Sequence, residues 1–214
     1  MKTRRTKSEQ RSDARHDLKA IQEALKKPLI TDGPFDYAAR AQQVQEAHRL
    51  NSTASELRFR PPHAPEAWEL HELTAARFWE AIEAAYPPGF GHDAARLHAG
   101  DAAGLESTFA FLEADPFFFR TGYLKAALIR DIKRLSLTPP QAQRLQQVVL
   151  TVVDARNDRE FRAFCRLARK VDAPALREQL TARLTSSDAG IRRRARWVLE
   201  ALAQKDSQEK DTRG

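Results

Sequence analysis

Ala173-Pro-Ala-Leu-Arg-Glu-Gln-Leu-Thr-Ala-Arg-Leu-Thr-Ser-Ser-Asp188-Ala-Gly-Ile-Arg-Arg-Arg-Ala-Arg-Trp-Val-Leu-Glu-Ala-Leu202 decides the fold. Pro174 sits where a first helical turn tolerates a missing N–H. Leu176, Leu180 and Leu184 follow at helical spacing. A short polar turn leads to Asp188, placed to cap a second helix. Ile191, Ala195, Leu199 and Leu202 form that helix's apolar stripe. The unit is a two-helix hairpin, which buries its apolar faces by stacking on copies of itself.

Working back from this hairpin, helices are expected at about 118–135, 140–154, 158–170, 174–185 and 188–203, joined by short loops that make neighbours antiparallel. Pro139-Pro140 opens one of them. An internal repeat runs through the segment. Asp158-Arg-Glu-Phe161-Arg162-Ala-Phe-Cys165 aligns with Asp188-Ala-Gly-Ile191-Arg192-Arg-Arg-Ala195, and Phe119-Arg120-Thr-Gly-Tyr123 is a looser copy. Leu145, Val149 and Val153 match Leu176, Leu180 and Leu184 in the preceding helices. No stretch carries the alternation or the Val/Ile/Thr blocks of strands, so the fold class is all-α.

Leu-rich helix, Asp, an apolar residue followed by Arg, then a small residue four on from the apolar one resembles the HEAT-repeat pattern. The likeness is strongest over 174–202, weaker over 140–170 and weakest over 101–135. It implies an α-solenoid whose second helices line the concave side, with Asp and Arg residues joining neighbouring repeats. The reading is therefore a HEAT-like antiparallel helical-hairpin array over 117–204, preceded by a helical N-terminal layer over 13–116. Residues 1–12 read as a disordered basic tail, 51–64 as a linker and 205–214 as a second disordered tail.

Within the N-terminal layer, Ser12 or Asp13 is placed to cap a helix carrying Leu18, Ile21 and Leu25, which Pro28 ends. A second helix from about Asp36 to Leu50 carries Ala41, Val44 and Ala47. A third runs from about Pro65 to Tyr86, with Ala75, Trp79, Ile82 and Tyr86 sharing one face. Its Glu66, Glu69, Glu72, Glu80 and Glu83 read as a solvated acidic side. Asp101 is placed to cap a further helix through Leu105, Phe109 and Leu112.

The net charge of +7 is unevenly spread. Residues 51–116 hold 4 basic and 11 acidic side chains, whereas residues 117–204 hold 18 and 8. This asymmetry points to a polyanionic partner, an acidic protein or nucleic acid, or to a homo-oligomer in which the acidic middle docks on the basic array of another copy. The single Cys165 excludes an intramolecular disulfide and fits a reducing, cytoplasmic compartment. The basic N-terminus lacks the apolar segment of a secretory signal, and no apolar run reaches the roughly 18 residues of a membrane span.

The binding candidates are arginines. Arg159, Arg162, Arg166 and Arg169 fall at i, i+3, i+7 and i+10, on one side of their helix. Arg192 and Arg196 occupy the same angular position 30 residues on, and Arg193 and Arg194 widen the ridge. Arg162 and Arg192 stand four residues after Asp158 and Asp188, spacing that also suits a structural pair. Trp197 points away from the core stripe toward Arg193, placed to stack on a base or a partner, or to pack beneath another segment of the chain. Phe117, Phe118 and Phe119 cannot all face one core.

Catalytic motifs are missing. His71-Glu72-Leu73-Thr74-Ala75 has Ala where a zincin helix needs its second His. Gly89-Phe-Gly91-His lacks the Lys and Ser/Thr of a phosphate loop, and the His residues are scattered, so neither a metal nor a cofactor is expected. The leading expectation is a non-enzymatic binding module or scaffold presenting the basic ridge. The alternative is a HEAT-like enzyme similar to the alkylpurine DNA glycosylases, which this chain resembles in size, helical build and basic charge. That family uses aromatic residues, an acidic residue and Arg in a groove. Asp154, Asp158 and Glu200 are the carboxylates near the ridge, and no catalytic residue carries over.

Overall fold

The computed structural model describes residues 7–59, 65–155 and 160–211, with side chains described for residues 13, 15–59, 65–155 and 160–204. Every regular element among them is helical: α1 (Lys7–Leu25), α2 (Tyr37–Phe59), α3 (Pro65–Ala84), α4 (Phe90–His98), a 3-10 turn (Ala102–Gly104), α5 (Leu105–Ala114), α6 (Thr121–Ile132), α7 (Pro139–Ala155), α8 (Phe161–Lys170), α9 (Pro174–Arg183) and α10 (Ala189–Asp211). The chain forms two compact units, Met1–Pro87 and Pro88–Gly214.

The first unit packs α2 against α3, with α1 on both. Ala41, Val44 and Ala47 are buried, as the periodicity predicts. The same stripe continues through Leu50, Ala54 and Leu57, which corrects the linker reading for 51–59. Asn51, Ser52 and Thr53 have modest helix propensity, but the apolar residues around them hold the turn helical and Thr53 Oγ1 donates to the Arg49 carbonyl. Residues 60–64 lie outside the described residues. In α3 the buried stripe is Ala67, Leu70, Thr74, Phe78 and Ala81, and Trp79 is exposed. The expected Ala75–Trp79–Ile82 face is thus rotated, because Phe78 takes the central position. Helix α1 starts at Lys7, so 7–12 is not a disordered tail and neither Ser12 nor Asp13 is its cap; residues 1–6 lie outside the described residues.

The second unit alternates its helices between two layers. Helices α5, α7 and α9 pack in sequence in the first layer, while α4, α6, α8 and α10 pack in sequence in the second. Between the layers α4 and α6 pack on α5, α7 packs on α8 and α10, and α9 packs on α10. Thus α4 and α5, which the sequence reading grouped with the N-terminal layer, belong to the same unit as α6–α10. The core between the layers holds Phe109, Phe111 and Leu112 from α5, Leu145, Val149 and Val153 from α7, Phe164 and Leu167 from α8, Leu176 and Leu180 from α9, and Ala195, Val198 and Leu202 from α10.

Local chemistry sets the helix ends. Pro139 and Pro174 open α7 and α9. Asp188 Oδ1 accepts from the Gly190 N–H at 2.5 Å and the Ile191 N–H at 3.1 Å, capping α10. The Ile191 amide foremost, and then that of Gly190, hold its carboxyl below the ordinary value. Asp101 Oδ1 accepts from the Ala103 N–H at 2.9 Å. Helix α10 runs on to Asp211, so 205–211 is helical and not a disordered tail; residues 212–214 lie outside the described residues.

Candidate functional site

The two layers use their arginines differently. In the first layer Arg177 of α9 pairs with Asp172 just before its own helix, and Arg144 and Arg183 bind carboxylates on the neighbouring helix. Arg144 of α7 donates through Nε and Nη2 to both Glu113 oxygens of α5, at 2.6 and 2.9 Å, and through Nη1 to Glu106 at 2.8 Å. Arg183 of α9 makes a two-pronged pair with Asp154 of α7, both bonds 2.7 Å. The fork of Arg suits this bidentate geometry. These contacts neutralise most of the charge along α5, α7 and α9.

In the second layer α4 and α6 also pair cations, Arg96 with Asp101 and Lys125 with Asp115, but α8 and α10 keep several arginines at the surface. On α8, Phe161, Phe164, Leu167 and Ala168 are buried. Arg162, Arg166 and Lys170 lie opposite them, within about 80° of arc at 100° per residue, and are exposed. On α10 the buried stripe is Arg194, Ala195, Val198 and Leu202, and Arg193, Arg196 and Glu200 share the exposed side. On α6, Tyr123 and Arg130 occupy the corresponding outer side. Phe161, at the start of α8, lies 5.9 Å from Trp197 between ring centroids, and Arg169, at its end, reaches the Ala201 carbonyl and Gln204. Helices α8 and α10 therefore run parallel, with their exposed arginines on adjacent ridges. Among the described residues, Arg162, Arg166, Arg193 and Arg196 make no ion pair.

Trp197 is 38% exposed. It bridges α10 and α8 through Phe161, and the Arg193 guanidinium lies 5.3 Å above its ring. It packs within the array on one edge and reaches solvent on another.

Three arginines assigned to the ridge are otherwise engaged. Arg169 donates to the Ala201 carbonyl and to Gln204 Oε1, each at 2.7 Å, tying α8 to the far part of α10. Arg192 donates to the Ser186 and Ser187 carbonyls at 2.6 and 2.9 Å, closing its own turn rather than pairing with Asp188. Arg194 is buried and donates to the Val153 carbonyl at 2.5 Å and the Asp154 carbonyl at 3.2 Å, where α7 ends without intrahelical partners. Arg194, two residues after the expected Arg192, thus joins α10 to α7, alongside the Arg183 link from α9. Arg159 and Asp158 lie outside the described residues. Of the other two carboxylates, Asp154 is held by Arg183, and Glu200 stands exposed three residues beyond Trp197.

The sequence reading missed Arg130, Lys170, Arg120 and Tyr123 as members of this face. Tyr123 and Arg130 are seven residues apart on one helix, and Lys170 continues the i, i+4, i+8 series from Arg162 and Arg166, so the spacing carried the signal.

The Cys165 thiol is pushed up to about 11, chiefly by burial. Among the described residues no group of three or more His, Cys, Asp or Glu side chains could hold a metal ion, and no helix is long and apolar enough to cross a membrane. Comparison with protein-family models, with curated proteins and with solved structures finds no match.

Proposed function

We propose that this chain is a non-enzymatic binding module whose second-layer outer face holds the backbone of a nucleic acid. The observation that carries the reading is the contrast between α7 and α9 on one side and α8 and α10 on the other. Arg144 and Arg183 are bound to carboxylates, whereas Arg162, Arg166, Arg193 and Arg196 stand exposed on parallel neighbouring helices with no ion pair among the described residues. A row of unneutralised guanidinium groups fits a row of phosphates, which accept forked hydrogen bonds and release counterions on binding. Trp197 adds an aromatic surface within the same row. The alternation of α5 to α10 between layers supports reading this unit as a HEAT-like array.

The test is salt-dependent binding to labelled single- and double-stranded DNA and RNA, comparing wild type with Arg166→Glu/Arg193→Glu/Arg196→Glu. Circular dichroism establishes that the variant is folded. Four phosphate contacts predict an affinity loss of about 100-fold between about 50 and 200 mM salt, and little binding by the variant. Absence of binding at low salt contradicts the proposal and directs the search to acidic protein partners by pull-down.

A further inference from the structure

The segment between α5 and α6 reads Asp115-Pro-Phe-Phe-Phe-Arg-Thr121. Asp115 (φ 43°) and Arg120 (φ 62°) bracket it, and they are the non-glycine residues with positive φ among those described. That backbone region is unfavourable for residues with a Cβ and persists only where the surroundings fix it. Here they do. Lys125, fully buried, donates to Asp115 Oδ1 at 2.6 Å. Phe118 is buried as an anchor, and Thr121 Oγ1 donates to its carbonyl at 2.8 Å and accepts from its N–H at 3.2 Å.

What this scaffold displays is aromatic. Phe117 is 55% exposed, Phe119 38% and Tyr123 68%. The positive φ of Arg120 accompanies a guanidinium placed 5.0 Å over the Phe119 ring. An Arg over an exposed ring recurs at Trp197, where Arg193 plays the same part. Both pairs flank the start of α8. A Cβ on Gly122 would meet the Glu160 carboxylate, so the first turn of α6 lies beside that start, and Phe161 touches Trp197 from the other side. The loop thus lies at the end of the second layer where α8 and its ridge begin, with Glu160 at the junction.

We infer that this loop and Tyr123 form a stacking platform for unpaired bases, so that the ligand of the basic face is a single strand. The inference rests on the nucleic-acid reading above and names the substrate class. A duplex keeps its bases stacked on each other and presents only backbone to such a face. A single strand offers both phosphates and π-faces, which the Arg ridge and the aromatic rings match respectively. A protein partner would also use the rings, but Arg120 over Phe119 and the exposed arginines of the same layer favour a polyanion.

The experiment compares three probes of equal length: a mixed-sequence single-stranded oligonucleotide, its duplex, and an abasic strand carrying the same phosphates without bases. Wild type is predicted to bind the single strand about tenfold tighter than either other probe. Tyr123→Ala and, independently, Phe119→Ala should lower single-strand affinity toward the abasic level while leaving abasic binding unchanged. Tyr123→Trp should retain it, and Arg166→Glu should weaken all three. Equal binding of the base-bearing and abasic strands, or no effect of either alanine variant, overturns the stacking platform and leaves the backbone-binding proposal standing. Binding of none of the probes overturns both.

Discussion

Arg194 of α10 donates to the main-chain carbonyl of Val153, the buried end of α7, across 41 positions of sequence and 2.5 Å of space. A second bond reaches the Asp154 carbonyl at 3.2 Å. A helix C-terminus carries carbonyls without intrahelical partners and negative partial charge, so a buried cation satisfies both requirements. This contact fixes the last hairpin on the one before it.

Loss of that contact should be costly. Arg194→Ala is predicted to destabilise the chain by about 2–3 kcal/mol, the range for a charged group bonded to buried acceptors. Arg196→Ala, two residues on but exposed, should change stability by less than about 0.5 kcal/mol. Chemical denaturation of the two variants checks this, and similar losses for both would remove Arg194 from its structural role.

The pairing of Arg144 with Glu106 and Glu113 predicts a pH dependence. Hydrogen bonding to Arg144, the largest cause, holds the Glu106 carboxyl below its ordinary value. A carboxyl depressed by folding stabilises the folded state above its unfolded pKa, and that contribution is lost as pH falls through the folded value. The difference in Tm between wild type and Arg144→Ala should be present above about pH 5 and shrink as pH drops below the carboxylate range. The effect at neutral pH is modest, since Glu106 is largely exposed. A difference that persists unchanged in acid would contradict the pairing.

Close approach of the 3-10 turn to α4 makes Gly104 sensitive. A Cβ there would lie 2.2 Å from the Asp93 carbonyl oxygen and 3.0 Å from the Leu97 nitrogen, both backbone. Gly104→Ala should cost about 1–3 kcal/mol as the turn is pushed off the helix. Gly91→Ala, in α4 with nothing within 4 Å of the added atom, should be neutral or slightly stabilising. Thermal melts of the pair decide it.

Cys165 should be a poor nucleophile. With the thiol pushed up to about 11 by burial, its thiolate fraction at pH 8 is far below that of an ordinary cysteine. Reaction of the native protein with a disulfide reagent should be at least about 100-fold slower than in denaturant. Rapid reaction in the folded state would place the thiol at the surface.

The fold class and the C-terminal hairpins were legible because short-range signals agreed. Pro174, the Leu176–Leu180 spacing and the Asp188 cap all act within one or two turns. Three readings failed where longer-range packing decides. Asn51-Ser52-Thr53 looks like a linker in isolation, yet the stripe Leu50–Ala54–Leu57 continues the helix across it. In α3 two aromatic residues stand side by side, and only the packing against α2 selects Phe78 over Trp79. On α10 the repeat alignment drew attention to Arg192. The buried stripe Arg194–Ala195–Val198–Leu202 places Arg194 inside, a pattern visible in the spacing but masked by the expectation that arginine faces water. The exposure of Arg162, Arg166, Arg193, Arg196 and Trp197 was legible because helical spacing alone sets which side faces solvent.

The most direct test is binding of a labelled single-stranded oligonucleotide across a salt series, by wild type and by the folded Arg166→Glu/Arg193→Glu/Arg196→Glu variant. The expected result is wild-type binding that weakens about 50-fold from about 50 to 200 mM salt and is lost in the variant. Binding that is insensitive to salt, equal in the variant, or absent from wild type at low salt would contradict the assignment of the second-layer face.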